Sequence, residues 1–269
     1  MTQVLSWSQV ARNGSECDPK WAGLWRNLVG AWVPAVGPTG YKLFDLSRRG
    51  GDGDLSGMDA LADWVICPYG YALDFDGGND YISNNFHPSS VLGTRFTIAA
   101  LVYGQSGASF RGICGAHAEG AANGITFGQF VDGTAYFNYG YGDGWGNTAT
   151  YSMPLNSWRF IIATYEAHNG GYIRVYDWGS QVATSAIETQ SISHISNFYI
   201  GRASFSGADR YWDGQIAAVM VWNTILDPTT IRQMSLNPLG MFATDNLQII
   251  NAGLANRITL FGGTWGMII

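Results

Sequence analysis

Residues 212 to 236 read Trp212-Asp-Gly-Gln-Ile-Ala-Ala-Val-Met-Val-Trp222-Asn-Thr-Ile-Leu-Asp-Pro-Thr-Thr-Ile-Arg-Gln-Met-Ser-Leu236, a strand, a turn and one short helix. From Gln215 to Trp222 small and apolar residues run without a charge, the pattern of a strand buried on both faces at a sheet centre. Asp227 is placed to cap the helix, Pro228 takes the first helical position where its missing N–H costs nothing, and Leu226 can staple onto Ile231. Asn237-Pro238 then stops it. One short helix among so much strand pattern predicts an all-β domain.

Upstream, strand patterns arrive at regular intervals: Phe96 to Tyr103, Ile125 to Phe130, Thr134 to Tyr139, Trp158 to Tyr165, Tyr172 to Tyr176, Gln181 to Ser185 and Phe198 to Ile200. That spacing is the mark of a sandwich. Val131-Asp-Gly-Thr134 and His168-Asn-Gly-Gly171 predict tight hairpins, because Asp-Gly and Asn-Gly supply the positive φ such turns demand, and they make the flanking strands antiparallel.

The chain has 269 residues and no linker, so one large β-sandwich accommodates it. A formal net charge of -6 without a Lys/Arg cluster argues against nucleic acid as a partner. No run of about 18 apolar residues is present, which argues against membrane insertion, and residues 1 to 10 lack the basic start and apolar run of a secretory signal. Cys17, Cys67 and Cys114 are odd in number and lack metal-like spacing, so they read as buried thiols of a protein folded in a host cytoplasm.

Together with Leu73-Asp-Phe-Asp-Gly-Gly-Asn-Asp-Tyr-Ile82, the opening stretch resembles the laminin-G-like, concanavalin A-like lectin and glucanase jelly-roll family. Asp54-Leu-Ser-Gly57, the strand Asn156 to Tyr165 with its leading Trp158 and following hairpin, and Ile200-Gly-Arg202 are similar to that family too. The resemblance covers residues 28 to 242 and implies an antiparallel jelly-roll sandwich with one short helix. Residues 1 to 27, with Trp7, Trp21 and Trp25, are then an N-terminal arm that needs something to pack on. Residues 243 to 269 form a C-terminal extension whose strand candidates, Leu247 to Asn251 and Ile258 to Ile269, pair either within the chain or with a neighbouring subunit.

The resemblance points to a binding or surface protein. Because the fold also houses glucanases, hydrolysis has to be weighed; it needs two carboxylates about 5 to 5.5 Å apart in a retaining enzyme. Glu16, Glu119, Glu166 and Glu188 do not alternate with another carboxylate in a strand, and Asp74 and Asp76 read as a strand entering a turn. His87, His117, His168 and His194 are scattered, with no nucleophile near them. The chain is therefore expected not to be an enzyme.

Calcium is the one cofactor the residues suggest: Asp45, Asp76 and Asp80 lie in Asp/Gly loops, and hard oxygens suit that ion. The same residues serve equally as turn aspartates, and Ala217 and Ala218 stand where calcium-binding relatives carry a carboxylate pair. For ligand contact, Tyr139, Tyr141, Trp145, Tyr211 and Trp212 offer aromatic faces beside Asn and Asp, suited to a glycan or to another subunit. The expectation is a non-catalytic structural or adhesive protein on the surface of a virus or phage particle. Its partners would be other virion subunits or its own copies, with a cell-surface glycan as ligand; a free lectin module and a glycoside hydrolase are the rival readings.

Overall fold

The computed structural model describes residues 10–49, 51–106, 111–117, 122–129, 134–142, 148–167, 171–188, 197–205 and 208–244. Its strands in chain order are β1 (Leu28–Trp32), β2 (Lys42–Leu43), β3 (Gly53–Ser56), β4 (Trp64–Cys67), β5 (Gly70–Asp76), β6 (Tyr81–Asn84), β7 (Arg95–Gly104), β8 (Arg111–His117), β9 (Ala122–Gln129), β10 (Thr134–Gly142), β11 (Ala149–Ser152), β12 (Trp158–Glu166), β13 (Gly171–Asp177), β14 (Ser180–Glu188), β15 (Tyr199–Ile200), β16 (Arg202–Phe205), β17 (Ala208–Tyr211) and β18 (Asp213–Trp222). They build two antiparallel sheets, the jelly-roll sandwich expected from the sequence. The back sheet runs β14-β13-β12-β7-β18-β5-β4, with β1 also on β18, and the front sheet runs β11-β10-β9-β8-β15-β6-β3-β2. A separate hairpin, β16-β17, rises from the end of β15.

The two expected hairpins, β9-β10 and β12-β13, are antiparallel pairs, although the turn residues 131–133 and 168–170 lie outside the described set. β18 is central and buried from Ile216 to Trp222, as its uncharged run requires. Two single-turn helices, α1 (Ala22–Trp25) and α2 (Pro88–Val91), precede the longer α3 (Pro228–Leu236), and the Asp227 carboxylate accepts from the N–H groups of Thr229 and Thr230 at its start. Those hydrogen bonds hold the Asp227 carboxyl below its ordinary range, the side chain of Thr230 contributing most.

Strand alternation sorts the side chains into two cores rather than one. Between the sheets lie Phe75, Phe96, Ile98, Phe127, Phe137, Ile161, Phe198 and Val219, among others, with Trp32 stacked on Phe198 at 5.4 Å between ring centres. Behind the back sheet a second core joins Ala99, Leu101, Phe160, Met220 and Trp222 to Ile231 and Met234 of α3 and to Trp21 and Leu24. The N-terminal arm thus finds its packing partner in its own chain: Trp222 donates its indole N–H to the Leu24 carbonyl at 2.8 Å, and Trp25 donates to the Met241 carbonyl at 3.1 Å. Val10 and Cys17 bridge Ala243 and Thr244, so the start of the C-terminal extension lies on the same layer. Residues 245–269, which hold the two strand candidates of that extension, lie outside the described residues.

Candidate functional site

β15 places its residues between β6 and β8, pairing Tyr199 with Ser83 and Gly115 and Ile200 with Ile82 and Cys114. Alternation then sends Ile82 and Ile200 into the core and leaves Tyr81 and Tyr199 on the solvent side of the front sheet, ring centres 5.9 Å apart. Gly201, at a φ of 77°, turns the chain into β16; an added Cβ there would collide with the Phe75 ring, so the turn requires glycine. Beyond it Arg202 pairs across the hairpin with Tyr211. The Arg202 guanidinium lies 5.0 Å from the ring centre of Tyr81, 5.2 Å from that of Tyr199 and 5.7 Å from that of Tyr211. Three half-buried phenol rings around one cation form a preorganised surface, each contact worth about 0.5 to 2 kcal/mol depending on desolvation.

Arg111 braces this cluster from below. Its Nη1 donates to the Gly77 carbonyl at 2.8 Å and to the Tyr211 carbonyl at 3.1 Å, and its Nη2 sits 3.6 Å from Asp213 Oδ2. Ser106 completes the brace by donating to Asp213 Oδ2 at 2.6 Å. One arginine so ties the β5-β6 turn, the β16-β17 hairpin and the start of β18 together.

Of the residues singled out in the sequence, Tyr211 belongs to this cluster. Trp212 does not offer a ligand face: it is 0% exposed, packed into the core between the sheets, because neighbours in a strand point to opposite sides. Tyr139 and Tyr141 lie in β10, opposite Ile125 and Asn123, on strands remote in the sheet order from β6. Trp145 lies outside the described residues. Tyr81, Tyr199 and Arg202 escape sequence reading because only the register of β15 with β6 brings them together; the Tyr-Ile alternation at 81–82 and 199–200 is the one local signal.

The aspartates suggested for calcium are occupied in building turns. Asp45 is buried; its Oδ1 accepts from the N–H groups of Ala31 and Ser47, and its Oδ2 from the Arg49 N–H and the Ser47 hydroxyl. Asp76 Oδ1 accepts from the Gly78 and Asn79 N–H groups, and Asp80 Oδ2 from the Asp76 N–H. Burial pushes the Asp80 carboxyl up. Among the described residues no three His, Cys, Asp or Glu side chains are grouped to hold a metal ion. These hydrogen bonds give the aspartates a role in building their turns, and Asp45→Ala is expected to cost about 1 to 3 kcal/mol for each buried N–H left unpaired, read by urea unfolding.

An antiparallel sandwich with this strand order defines the chain as a jelly-roll domain. A family profile described as Concanavalin A-like lectin/glucanases superfamily (Laminin_G_3) matches residues 76–232, more than half of the chain, and the chain belongs to that family. No curated protein matches the sequence. Domain 4 of AbnA, an extracellular arabinanase from Geobacillus stearothermophilus solved with arabinotriose, shares 14% identity at a TM-score of 0.60, covering 78% of this chain and 98% of that one. Trypanosoma rangeli sialidase shares 20% at a TM-score of 0.57, covering 80% of this chain. Botulinum neurotoxin type C, whose cell entry depends on two ganglioside molecules, shares 13% at 0.57, again over 80% of this chain. The chain spans 33% of the sialidase and 52% of the toxin chain. At such identities the likeness is one of fold. No helix among the described residues is long and apolar enough to cross a membrane.

Proposed function

We propose that this chain is a non-catalytic glycan-binding sandwich, displayed in several copies on a virus or phage particle. The observation that carries the reading is the cluster of Tyr81, Tyr199 and Tyr211 around Arg202 on the solvent side of the front sheet. Phenol faces and edges suit the apolar faces of sugar rings, and a guanidinium supplies planar donors that match a carboxylate or sulfate. Solved neighbours named for arabinotriose and gangliosides support a carbohydrate role for such folds. The absence of catalysis is supported by how carboxylates are engaged: Glu166 pairs with Arg95 at 2.9 Å, Glu16 accepts from Arg12 and Asn13, and Asp76 closes its own turn.

Display on a particle supplies what one shallow face lacks. A weak site repeated on one assembly gains avidity when several copies reach the same surface. The test is an array of sialylated, sulfated and neutral glycans probed with the full chain presented multivalently on beads. The reading predicts retention of a subset of acidic glycans, with the signal reduced roughly tenfold or more in Tyr81→Ala and Arg202→Ala, since tenfold corresponds to a single contact of about 1.4 kcal/mol. Retention of no glycan by folded protein would refute it.

A further inference from the structure

The arm and α3 cover only part of the outer face of the back sheet. They lie over Ala218, Met220 and Trp222, toward the end of β18, and the Pro34–Val36 turn packs on β5 and β18, while Gln215 at the beginning of β18 stays half-buried. There the strand registers align one row of outward residues: Trp158 opposite Tyr103, Tyr103 opposite Gln215, and Gln215 opposite Asp74. Asp63 continues the row, its carbonyl accepting from the Asp74 N–H at 2.8 Å. Each of these side chains is half-buried. At about 4.8 Å per strand, the four paired positions span about 14 Å, enough for several sugar rings.

At the Trp158 end the row is walled by aromatic rings. Tyr69 meets Trp158 edge-on at 5.4 Å and Trp178 at 6.3 Å, while Tyr103 lies 5.9 Å from Trp158. Trp178 holds a φ of 46°, a conformation that side chains larger than glycine adopt at a cost, and its indole N–H donates to the Trp158 carbonyl. At the other end the Asp74 carboxylate is engaged by the Gln215 side chain, while its Oδ1 is buried with no hydrogen-bond partner.

We infer that this row is a second binding site, for a neutral oligosaccharide lying across β12, β7, β18 and β5. Sugar rings stack on Trp158 and Tyr103, and sugar hydroxyls exchange hydrogen bonds with the half-buried Gln215 amide. The two aspartates at its far end repel carboxylate- or sulfate-bearing sugars, which sets this row apart from the cationic front face. Burial, then the charge of Asp63, lifts the Asp74 carboxyl above its usual range against the lowering effect of its hydrogen bond with Gln215. The site stands independently of the front-face cluster, since no residue is shared.

The experiment titrates the full chain with cellohexaose, xylohexaose, maltohexaose and hexagalacturonate, following tryptophan fluorescence and calorimetric heat. At least one neutral hexasaccharide should bind and perturb tryptophan emission, and hexagalacturonate should not. Trp158→Ala and Gln215→Ala should each weaken binding roughly tenfold, of the order of one aromatic or hydrogen-bond contact. Should Trp158→Ala fail to fold by circular dichroism, Gln215→Ala, which removes a half-buried amide, decides alone. Binding of no neutral hexasaccharide, equal binding of hexagalacturonate, or undiminished binding by Gln215→Ala overturns the inference whatever the acidic-glycan array shows.

Discussion

A chain beginning at Leu28 is expected to lose most of its stability and to aggregate. Removing the arm strips Val10, Trp21 and Leu24, each 6% exposed or less, from the second core and uncovers Met220, Trp222 and Phe242, each 1% exposed or less. Burial of one such side chain is worth about 1.5 to 3 kcal/mol, so three lost together cost roughly 5 kcal/mol or more, against a total of about 5 to 15 kcal/mol for a typical domain. The bond from Trp222 Nε1 to the Leu24 carbonyl is lost as well. Urea unfolding and sedimentation of the shortened chain measure this. A soluble shortened chain with an unchanged unfolding midpoint would mean that the second core is not structural. The arm is therefore a layer of the domain, and a search for an anchor onto other subunits should turn to residues 245–269 instead.

The second large effect is expected from the ion pair between Arg159 and the deeply buried Asp177. Arg159 of β12 donates through Nε to Asp177 Oδ1 at 3.0 Å and through Nη2 to Asp177 Oδ2, with the Asp177 side chain 4% exposed. Tyr151 of β11 lies close enough to feel both charges, and its phenol is pushed up mainly by burial, so the pair sits where the two sheets meet. Asp177→Ala leaves a half-buried guanidinium without its counter-charge and should cost about 3 kcal/mol, whereas the double change Arg159→Met with Asp177→Leu should recover much of that loss. Chemical denaturation of the three proteins reads the difference directly. Equal stability of Asp177→Ala and the parent would show the pair to be solvated and weak, as surface pairs such as Lys42–Asp54 are.

Much of the fold was legible because its strands are long and patterned. β7, β12 and β18 carry uninterrupted apolar runs, and one Asn-Gly signal marks β12 and β13 as an antiparallel pair, although their register, with Tyr165 opposite Ile173, is one residue off what a two-residue Asn-Gly turn would set. β8, β11 and the β16-β17 hairpin were not legible. Arg-Gly-Ile-Cys-Gly-Ala-His and Ala-Thr-Tyr-Ser carry too few β-branched residues, and β8 contains a bulge between Gly112 and Cys114 that breaks alternation. The second core escaped for a different reason: a helix-compatible arm and a charge-free strand each read as buried, but nothing local says that they bury against each other.

The candidate site was legible only in Tyr211. Adjacent aromatics such as Tyr211-Trp212 look like one surface in a sequence, yet strand alternation puts one on each side, and only one can meet a ligand. Aspartate-rich loops mislead in a similar way. Asp45 and Asp76 are where a calcium loop would want carboxylates, but Asp45 turns both oxygens and Asp76 its Oδ1 onto backbone N–H groups of the same loop.

The central claim, that a glycan binds the front face at the tyrosine-arginine cluster, is met most directly by a nuclear magnetic resonance titration. Isotope-labelled full-length chain would be titrated with a soluble glycan retained on the array. The account predicts saturable shifts in the amides of Tyr81, Tyr199, Arg202 and Tyr211 and their strand neighbours. Saturable shifts confined to other surfaces, or none at all, would contradict it.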